Sequence, residues 1–143
     1  MTNITCRLVK KQQELDTCYA IRRNVFVDEQ GLFSETDRDE IDLHAQHIAA
    51  FRGGKIIGTV RIYEQRQGIW WGSRLAVERR HRGRAGKLLV EKAVALVRER
   101  GARAFFAYVQ CENQDFFTSM KWAVSGEPFQ LYDKQHILME APL

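Results

Sequence analysis

The chain has 143 residues, of which 45% are hydrophobic and 28% charged, and its formal net charge is +4. This length suits one domain with its own core, and the composition is ordinary for a globular protein. No apolar run is long enough to span a membrane, and three cysteines without a C-x-x-C pair indicate neither a disulfide framework nor a zinc site. We therefore expect a single cytoplasmic domain over residues 1–143 that binds no membrane and no metal.

The first half of the chain predicts a strand and a helix, followed by an antiparallel meander. Apolar residues in 4–9 indicate the strand, and apolar positions recurring through 12–27 indicate the helix. The acidic segment 34–42 is typical of a loop with a short helical turn. Two glycine-containing turns then separate three apolar segments, which predicts two consecutive hairpins. The predicted strands are 47–51, 56–63 and 69–77, with turns at 52–55 and 66–68.

The second half predicts a strand–helix–strand crossover. Residues 83–100 form an amphipathic helix, which Gly101 ends, and the strand 104–109 is apolar on both faces. Because such crossovers are right-handed, strands 69–77 and 104–109 should run parallel. A short helix over 115–120 and late strands at 122–124 and 136–139 complete a mixed α/β sheet.

A basic turn between the strand ending at Val77 and the helix beginning near Gly83 is the most informative feature. Such a turn presents several backbone N–H groups to one point, and the positive end of the helix dipole adds to them. This predicts a phosphate-bearing ligand, at the position where open α/β sheets bind ligands. The spacing fits neither a Walker A loop, since Leu88 follows Gly86-Lys87, nor a G-x-G-x-x-G fingerprint. The cations of the turn are Arg79, Arg80, Arg82, Arg84 and Lys87.

This basic cluster allows two other interpretations. Arginines at such density also bind nucleic acid phosphates. The interleaved aromatic residues expected of that class are absent, however, so we expect no nucleic acid partner. The cluster also suits a solvated helix entry whose arginines bind nothing.

Three segments together resemble one known family. Arg80-His81-Arg82-Gly83-Arg84-Ala85 fits R-x-x-G-x-A and resembles the coenzyme A pyrophosphate loop of the GNAT superfamily of N-acetyltransferases. Residues 23–30 are similar to the R-x-x-V-F-V-x-E-Q segment of its ElaA-like branch, and Val109-Gln110 with 116–122 is similar to that branch's A-Q…F-Y-x-x-x-G-F. The resemblance covers nearly the whole chain. It implies the GNAT acyl-CoA N-acyltransferase fold, a mixed sheet of six or seven strands flanked by helices and splayed between two central parallel strands.

The resemblance also implies an acetyl-CoA site between those two strands. The pantetheine arm would lie along the end of the first strand, and the diphosphate would bind the N–H groups of the basic turn. Glycine and alanine suit this turn because bulky side chains would hold the phosphate off the backbone. The implied cofactor-binding residues are Leu75, Ala76, Val77, Arg80, Arg82, Gly83, Arg84, Ala85, Gly86, Lys87, Asn113 and Phe117.

The implied reaction is direct attack of an amine on the thioester in a ternary complex. A protonated amine must first lose a proton to a base. Glu29 is the candidate base because it lies in a segment that carries the resemblance. Phe117 stands where relatives commonly have a Tyr that protonates the leaving thiolate, so Tyr108 or a water would serve instead, or the protein binds acyl-CoA with weak or no catalysis. Other carboxylates that could act as the base are Glu35, Asp39, Asp42 and Glu64.

The acceptor is expected to be a small-molecule amine, less often a peptide, and the protein a monomer or homodimer. Trp70 and Trp71 point to opposite faces of their strand, so one belongs to the core and the other, Trp71, walls the acceptor pocket. Arg61 and Ser73 should lie opposite each other in the second hairpin. An arginine there binds an acceptor carboxylate if it faces the cleft, and is structural if it does not.

Overall fold

An eight-stranded mixed sheet organises the computed structural model, which describes residues 3–143. The order across the sheet is β1-β2-β3-β4-β5-β8-β6, with β7 paired to β8. No helix in this described part of the chain is long and apolar enough to cross a membrane. The strands are β1 (Ile4–Leu8), β2 (Gln46–Arg52), β3 (Lys55–Arg66), β4 (Ile69–Val77), β5 (Ala104–Gln110), β6 (Ala123–Val124), β7 (Phe129–Leu131) and β8 (Lys134–Glu140).

The helices fall close to the predicted positions. The predicted helix 12–27 is α1 (Gln12–Arg23), which continues into a π-helical turn over Asn24–Glu29. The predicted crossover helix is α2 (Arg84–Glu99), and α3 (Gln114–Ser119) is the short helix after β5. Single 3₁₀ turns occupy Glu40–Leu43, Arg79–His81 and Cys111–Asn113.

The strand β7 is the element that the sequence analysis missed, so the sheet has eight strands instead of six or seven. It forms a hairpin with β8 through Tyr132 and Asp133, whose φ angles are 54° and 60°. Positive φ at both positions is the requirement of a two-residue hairpin turn, normally met by Asn-Gly or Asp-Gly. A Tyr-Asp pair carries no such signal, and a three-residue strand has no readable alternation.

The two faces of the sheet pack against different helices because side chains alternate along each strand. Val77 joins Leu89 of α2 in one buried cluster, whereas its neighbour Ala76 joins Ile21 of α1 and Phe26 in another. We call these the α2 face and the α1 face of the sheet. Because each face is covered by a helix, a ligand can enter between the two faces only where neighbouring strands of the sheet are not paired.

The crossover from β4 to β5 is parallel, as predicted, but its pairing is short. Only Ile69–Trp71 pairs with Ala104–Phe106. Beyond Trp71 and Phe106 the two strands part, which leaves the sheet open at its centre while β3 and β8 hold the outer edges of β4 and β5.

Candidate active site

A cleft of about 910 Å³ occupies the opening between β4 and β5. Because the β4–β5 ladder stops at Trp71 and Phe106, the facing backbone edges of 72–77 and 107–110 are not paired with each other. Unpaired strand edges offer alternating N–H and C=O groups to an extended ligand. The opening can therefore hold a linear chain with amide groups, bound as an additional strand.

A β-bulge bends β4 beside this cleft. Arg74 and Leu75 together oppose the single residue Val60 of β3, and Arg74 has a φ of 55°. Its guanidinium donates to the Asp37 carbonyl oxygen at 2.9 Å and lies 4.7 Å from the Phe33 ring centroid. Bulges re-aim strands next to active sites, and this one is held in place by the loop that follows the π-helical turn.

The turn from β4 to α2 presents free backbone donors. Gly83 has a φ of 87°, a conformation that glycine adopts without strain. No side chain caps α2, and the N–H groups of Arg84, Ala85 and Gly86 have no acceptor among residues 3–143. The first intrahelical bond runs from the Lys87 N–H to the Gly83 carbonyl at 2.9 Å. Three aligned N–H groups at a helix N-terminus form a cradle for an anion such as a phosphate.

Glu29 lies at this turn, paired with two of its cations. Arg82 donates from both terminal nitrogens to the Glu29 carboxylate at 2.6 and 2.7 Å, and Arg79 lies 3.6 Å from it. Hydrogen bonding from Arg82 outweighs burial and lowers the pKa of Glu29. This arrangement makes Glu29 a poor proton acceptor.

A buried ionic network forms the scaffold on the α1 face of the cleft. Arg61 faces Ser73 in register, as predicted, and donates to the Ser73 hydroxyl at 2.7 Å. It also donates to Asp39 at 2.7 Å and to Asp42 at 3.0 Å, and only 2% of its surface is exposed. The Arg61 guanidinium is thus hydrogen-bonded to neighbouring groups of the protein. This corresponds to the structural role considered for it in the sequence analysis, and not to a free carboxylate-binding site.

The aromatic wall of the cleft follows the predicted strand alternation. Trp70 is buried, whereas Trp71 lines the cleft. The Trp71 ring centroid lies 5.0 Å from that of Tyr108, which in turn lies 5.2 Å from that of Phe129. Tyr108 is 51% exposed, a large value for an aromatic residue in a strand. We call the row of Trp71, Tyr108 and Phe129 the aromatic wall; Trp71 and Tyr108 line the cleft, and Phe129 packs against Tyr108.

The residues predicted to bind the cofactor fall into three groups. Ala76 and Ala85 are buried and do not line the cleft. Arg80, Arg84 and Lys87 are exposed around the turn and do not line the cleft. The others line it: Leu75, Val77, Arg82, Gly83, Gly86, Asn113 and Phe117.

Two further cleft residues were not predicted as site residues, although Gln110 belongs to a segment that carries the family resemblance. Gln110 ends β5, and His136 lies opposite it on β8. For His136 the only sequence signal is alternation in β8, which places it on the opposite face from Ile137 and Met139. That signal cannot show which strand lies beside β8, so the cleft position of His136 depends on the tertiary structure.

The comparisons with known proteins agree with this geometry. The chain belongs to the acetyltransferase (GNAT) family, whose model matches residues 12–120. It is 31% identical over 137 residues to a candidate acetyltransferase of Bacillus subtilis (strain 168), with 92% of this chain and 91% of that protein covered. The family and the fold support N-acyltransferase activity, and the fold implies an acyl-CoA co-substrate.

Solved structures share the fold over nearly the whole chain. Escherichia coli ElaA superposes with a TM-score of 0.85 at 21% identity, covering 99% of this chain and 100% of that one. A candidate N-acetyltransferase from Lactobacillus plantarum gives 0.86 at 19% identity, covering 96% and 97%. The resemblance to the GNAT superfamily is therefore confirmed, as is the fold class predicted from it.

Proposed function

We propose that this protein transfers an acetyl group from acetyl-CoA to the amine of a small molecule, less often a peptide, within a ternary complex. The observation that carries the proposal is the opening between β4 and β5 beside three free N–H groups of α2. An extended pantetheine with two amides fits the opening between the strands, and a diphosphate fits the N–H groups of α2.

In this proposal the pantetheine lies along Leu75, Ala76 and Val77 and makes backbone hydrogen bonds to β4. The diphosphate binds the N–H groups at the start of α2, where Arg80, Arg84 and Lys87 surround it with positive charge. Asn113 and Phe117 contact the cofactor from the opposite wall of the cleft.

The acceptor enters on the α1 face, against the aromatic wall. A protonated amine is attracted to aromatic ring faces by the cation–π interaction. Trp71 and Tyr108 supply such faces, and the Ser73 hydroxyl lies in the same part of the cleft. These residues therefore contact the acceptor, while the hydrogen bonds of Arg61 hold this side of the cleft in place.

Tyr108 is the proposed proton donor to the departing thiolate. Phe117 is 8% exposed and lines the cleft, but it has no proton to give. A thiol with a pKa of about 8.5 is a fair leaving group, so transfer is slower without a donor at residue 117 but is not abolished.

A second candidate function is acyl-CoA binding with weak or no transfer, and Phe117 is the observation that favours it. The proposed setting of either function is the cytoplasm, since the three cysteines are free and suit a reduced compartment. A monomer or a homodimer would serve both.

Calorimetry and a thiol-release assay test the proposal together. We expect acetyl-CoA to bind and to raise the melting temperature, and a panel of small aliphatic and aromatic amines to include substrates that release thiol. Binding without release from any amine would favour the acyl-CoA-binding function. Absence of acetyl-CoA binding would refute both, and salt-dependent binding of an oligonucleotide in its place would support the nucleic acid alternative.

A further inference from the structure

Two hydrogen-bond acceptors without partners lie side by side in the cleft. His136 on β8 and Gln110 on β5 are direct partners in the antiparallel register, so both side chains project from the same sheet face. That face also carries Tyr108, because it is separated from Gln110 by two positions along β5. All three residues line the cleft.

The hydrogen bond of His136 fixes its tautomer. Nδ1 lies 2.9 Å from the carbonyl oxygen of Lys134. A carbonyl only accepts, so Nδ1 carries the hydrogen and, in the neutral ring, Nε2 carries the lone pair. His136 thus presents a preset proton acceptor, whose orientation is held by the backbone of its own strand.

Nε2 of His136 is open to a ligand. It has no hydrogen-bond partner among residues 3–143, although only 5% of the residue is exposed. It is not sealed from solvent, since it is absent from the set of buried side-chain atoms without a partner. That set is Asp37 Oδ1, His47 Nδ1, Trp70 Nε1 and Gln110 Oε1.

The side chain of Gln110 adds a second acceptor. Its Nε2 donates to Gln30 Oε1 at 3.1 Å, which leaves its Oε1 buried with no donor nearby. A buried carbonyl without a donor is unfavourable, and a bound N–H group would relieve it. An alkyl ammonium has three N–H donors, enough to offer one to His136 and one to Gln110.

The acidic residues of the cleft are each already paired with a cation. Glu29 accepts from Arg82 at 2.6 Å, and Asp39 accepts from Arg61 at 2.7 Å. Glu112 accepts from Lys134 at 3.1 Å, on the rim next to His136. Every carboxylate among the described residues that line the cleft is therefore paired with a cation, whereas His136 Nε2 has no partner.

We propose that His136 is the base that takes the proton from the acceptor ammonium, with Gln110 Oε1 holding a second N–H. This inference rests on the transferase function proposed above. The proton passes from the ammonium to His136 Nε2 and then to water, and the freed nitrogen lone pair forms the C–N bond at the thioester carbon. The C–S bond breaks as the carbonyl re-forms. Tyr108 gives its proton to the departing thiolate and is reprotonated by the second amine proton, so an ammonium and a thioester yield an amide, a thiol and one proton.

The variant His136→Asn tests this assignment. The Asn side-chain amide can keep the hydrogen bond to the Lys134 carbonyl but has no atom in place of Nε2. We expect kcat/KM for an amine substrate to fall about 100-fold or more, the range of general base catalysis, while the Kd of acetyl-CoA stays unchanged. His44→Asn, at an exposed histidine outside the cleft, is the matched control and should keep full activity. Turnover of His136→Asn within a few-fold of the wild type would overturn the assignment.

A second measurement does not require turnover. Nitrogen-15 NMR of the histidine rings in the full chain reports the tautomer at mildly alkaline pH, and we expect hydrogen on Nδ1 of His136. Adding an amine to the CoA-bound protein should then shift the Nε2 resonance. Hydrogen found on Nε2, or an Nε2 resonance that no amine shifts, overturns the inference. If amines shift Nε2 but none is acetylated, an amine-binding site at His136 remains, while its role as a base and the proposed transferase function both fail.

Discussion

The Arg22 guanidinium donates to both carboxylate oxygens of Asp42, at 2.7 and 2.9 Å, and Asp42 also accepts from Arg61 at 3.0 Å. Arg22 belongs to α1, Asp42 to a 3₁₀ turn and Arg61 to β3, so one carboxylate joins three elements. Arg22 and Asp37 are each 1% exposed and form a further ion pair at 2.7 Å. This network fixes the α1 face of the cleft against the sheet.

Asp42→Asn should destabilise the fold. Removing one partner leaves buried guanidinium charge without compensation, which costs about 3–5 kcal/mol in comparable sites. Urea unfolding measures the change, and Asp16→Asn on the exposed side of α1 is the control, with an expected change within about 0.5 kcal/mol. Equal stability of the two variants would contradict a stabilising role for the network.

The free energy of unfolding should also fall in acid. Burial alone would raise the pKa of Asp42, but hydrogen bonds from Arg22, the Asp39 N–H and Arg61 hold it well below its ordinary value. A depressed carboxyl pKa stabilises the fold fully above the unfolded pKa, about 3.9, and the stabilisation is lost as pH falls through the folded pKa. Unfolding measured below pH 4 should show this loss for the wild type. In Asp42→Asn the dependence on pH should be shallower, and an unchanged slope would contradict the assignment.

Gly86→Val should weaken acetyl-CoA binding about tenfold or more, because the side chain would crowd the first turn of α2 where the N–H groups are free. Calorimetry measures the Kd. Gly86→Ala is the matched control: its Cβ would meet only the Phe116 ring, at an ordinary 3.5 Å, so binding should persist. Substituting Gly83 is less informative, since its φ of 87° makes any side chain strained. Unchanged affinity in Gly86→Val would place the diphosphate elsewhere.

Glu29→Gln separates an electrostatic role from a catalytic one. Removing the carboxylate frees Arg82 and Arg79 and removes a negative charge beside the diphosphate, so acetyl-CoA should bind several-fold more tightly at low salt. The turnover number should change little. A loss of about 100-fold in kcat would instead restore Glu29 as the base.

Phe117→Tyr should raise kcat about tenfold or more by placing a phenol where the thiolate departs. Steady-state kinetics with a saturating amine measures it. Phe116→Tyr, at the neighbouring position whose ring lies 5.6 Å from that of Phe117, is the control and should leave kcat unchanged. No gain in Phe117→Tyr would mean that proton supply to the thiolate does not limit the reaction.

Much of the fold followed from local patterns in the sequence. Alternation and glycine turns placed β2, β3 and β4, and the 3.6-residue period placed α2 to within one residue at each end. The register of Arg61 with Ser73 followed from the hairpin turn. The strand β7 did not follow, because its turn residues, Tyr132 and Asp133, take positive φ without the usual sequence signature.

By itself, the sequence determined the basic turn and the order of elements around it, because both depend on residues that are neighbours along the chain. The tertiary structure alone decided which charged side chains are free. Arg61 and Glu29 find partners on distant elements and are held in ion pairs at short range, to Asp39 and Arg82. His136 also takes its position from the tertiary structure, because the pairing of β8 with β5 places its unpartnered nitrogen in the cleft.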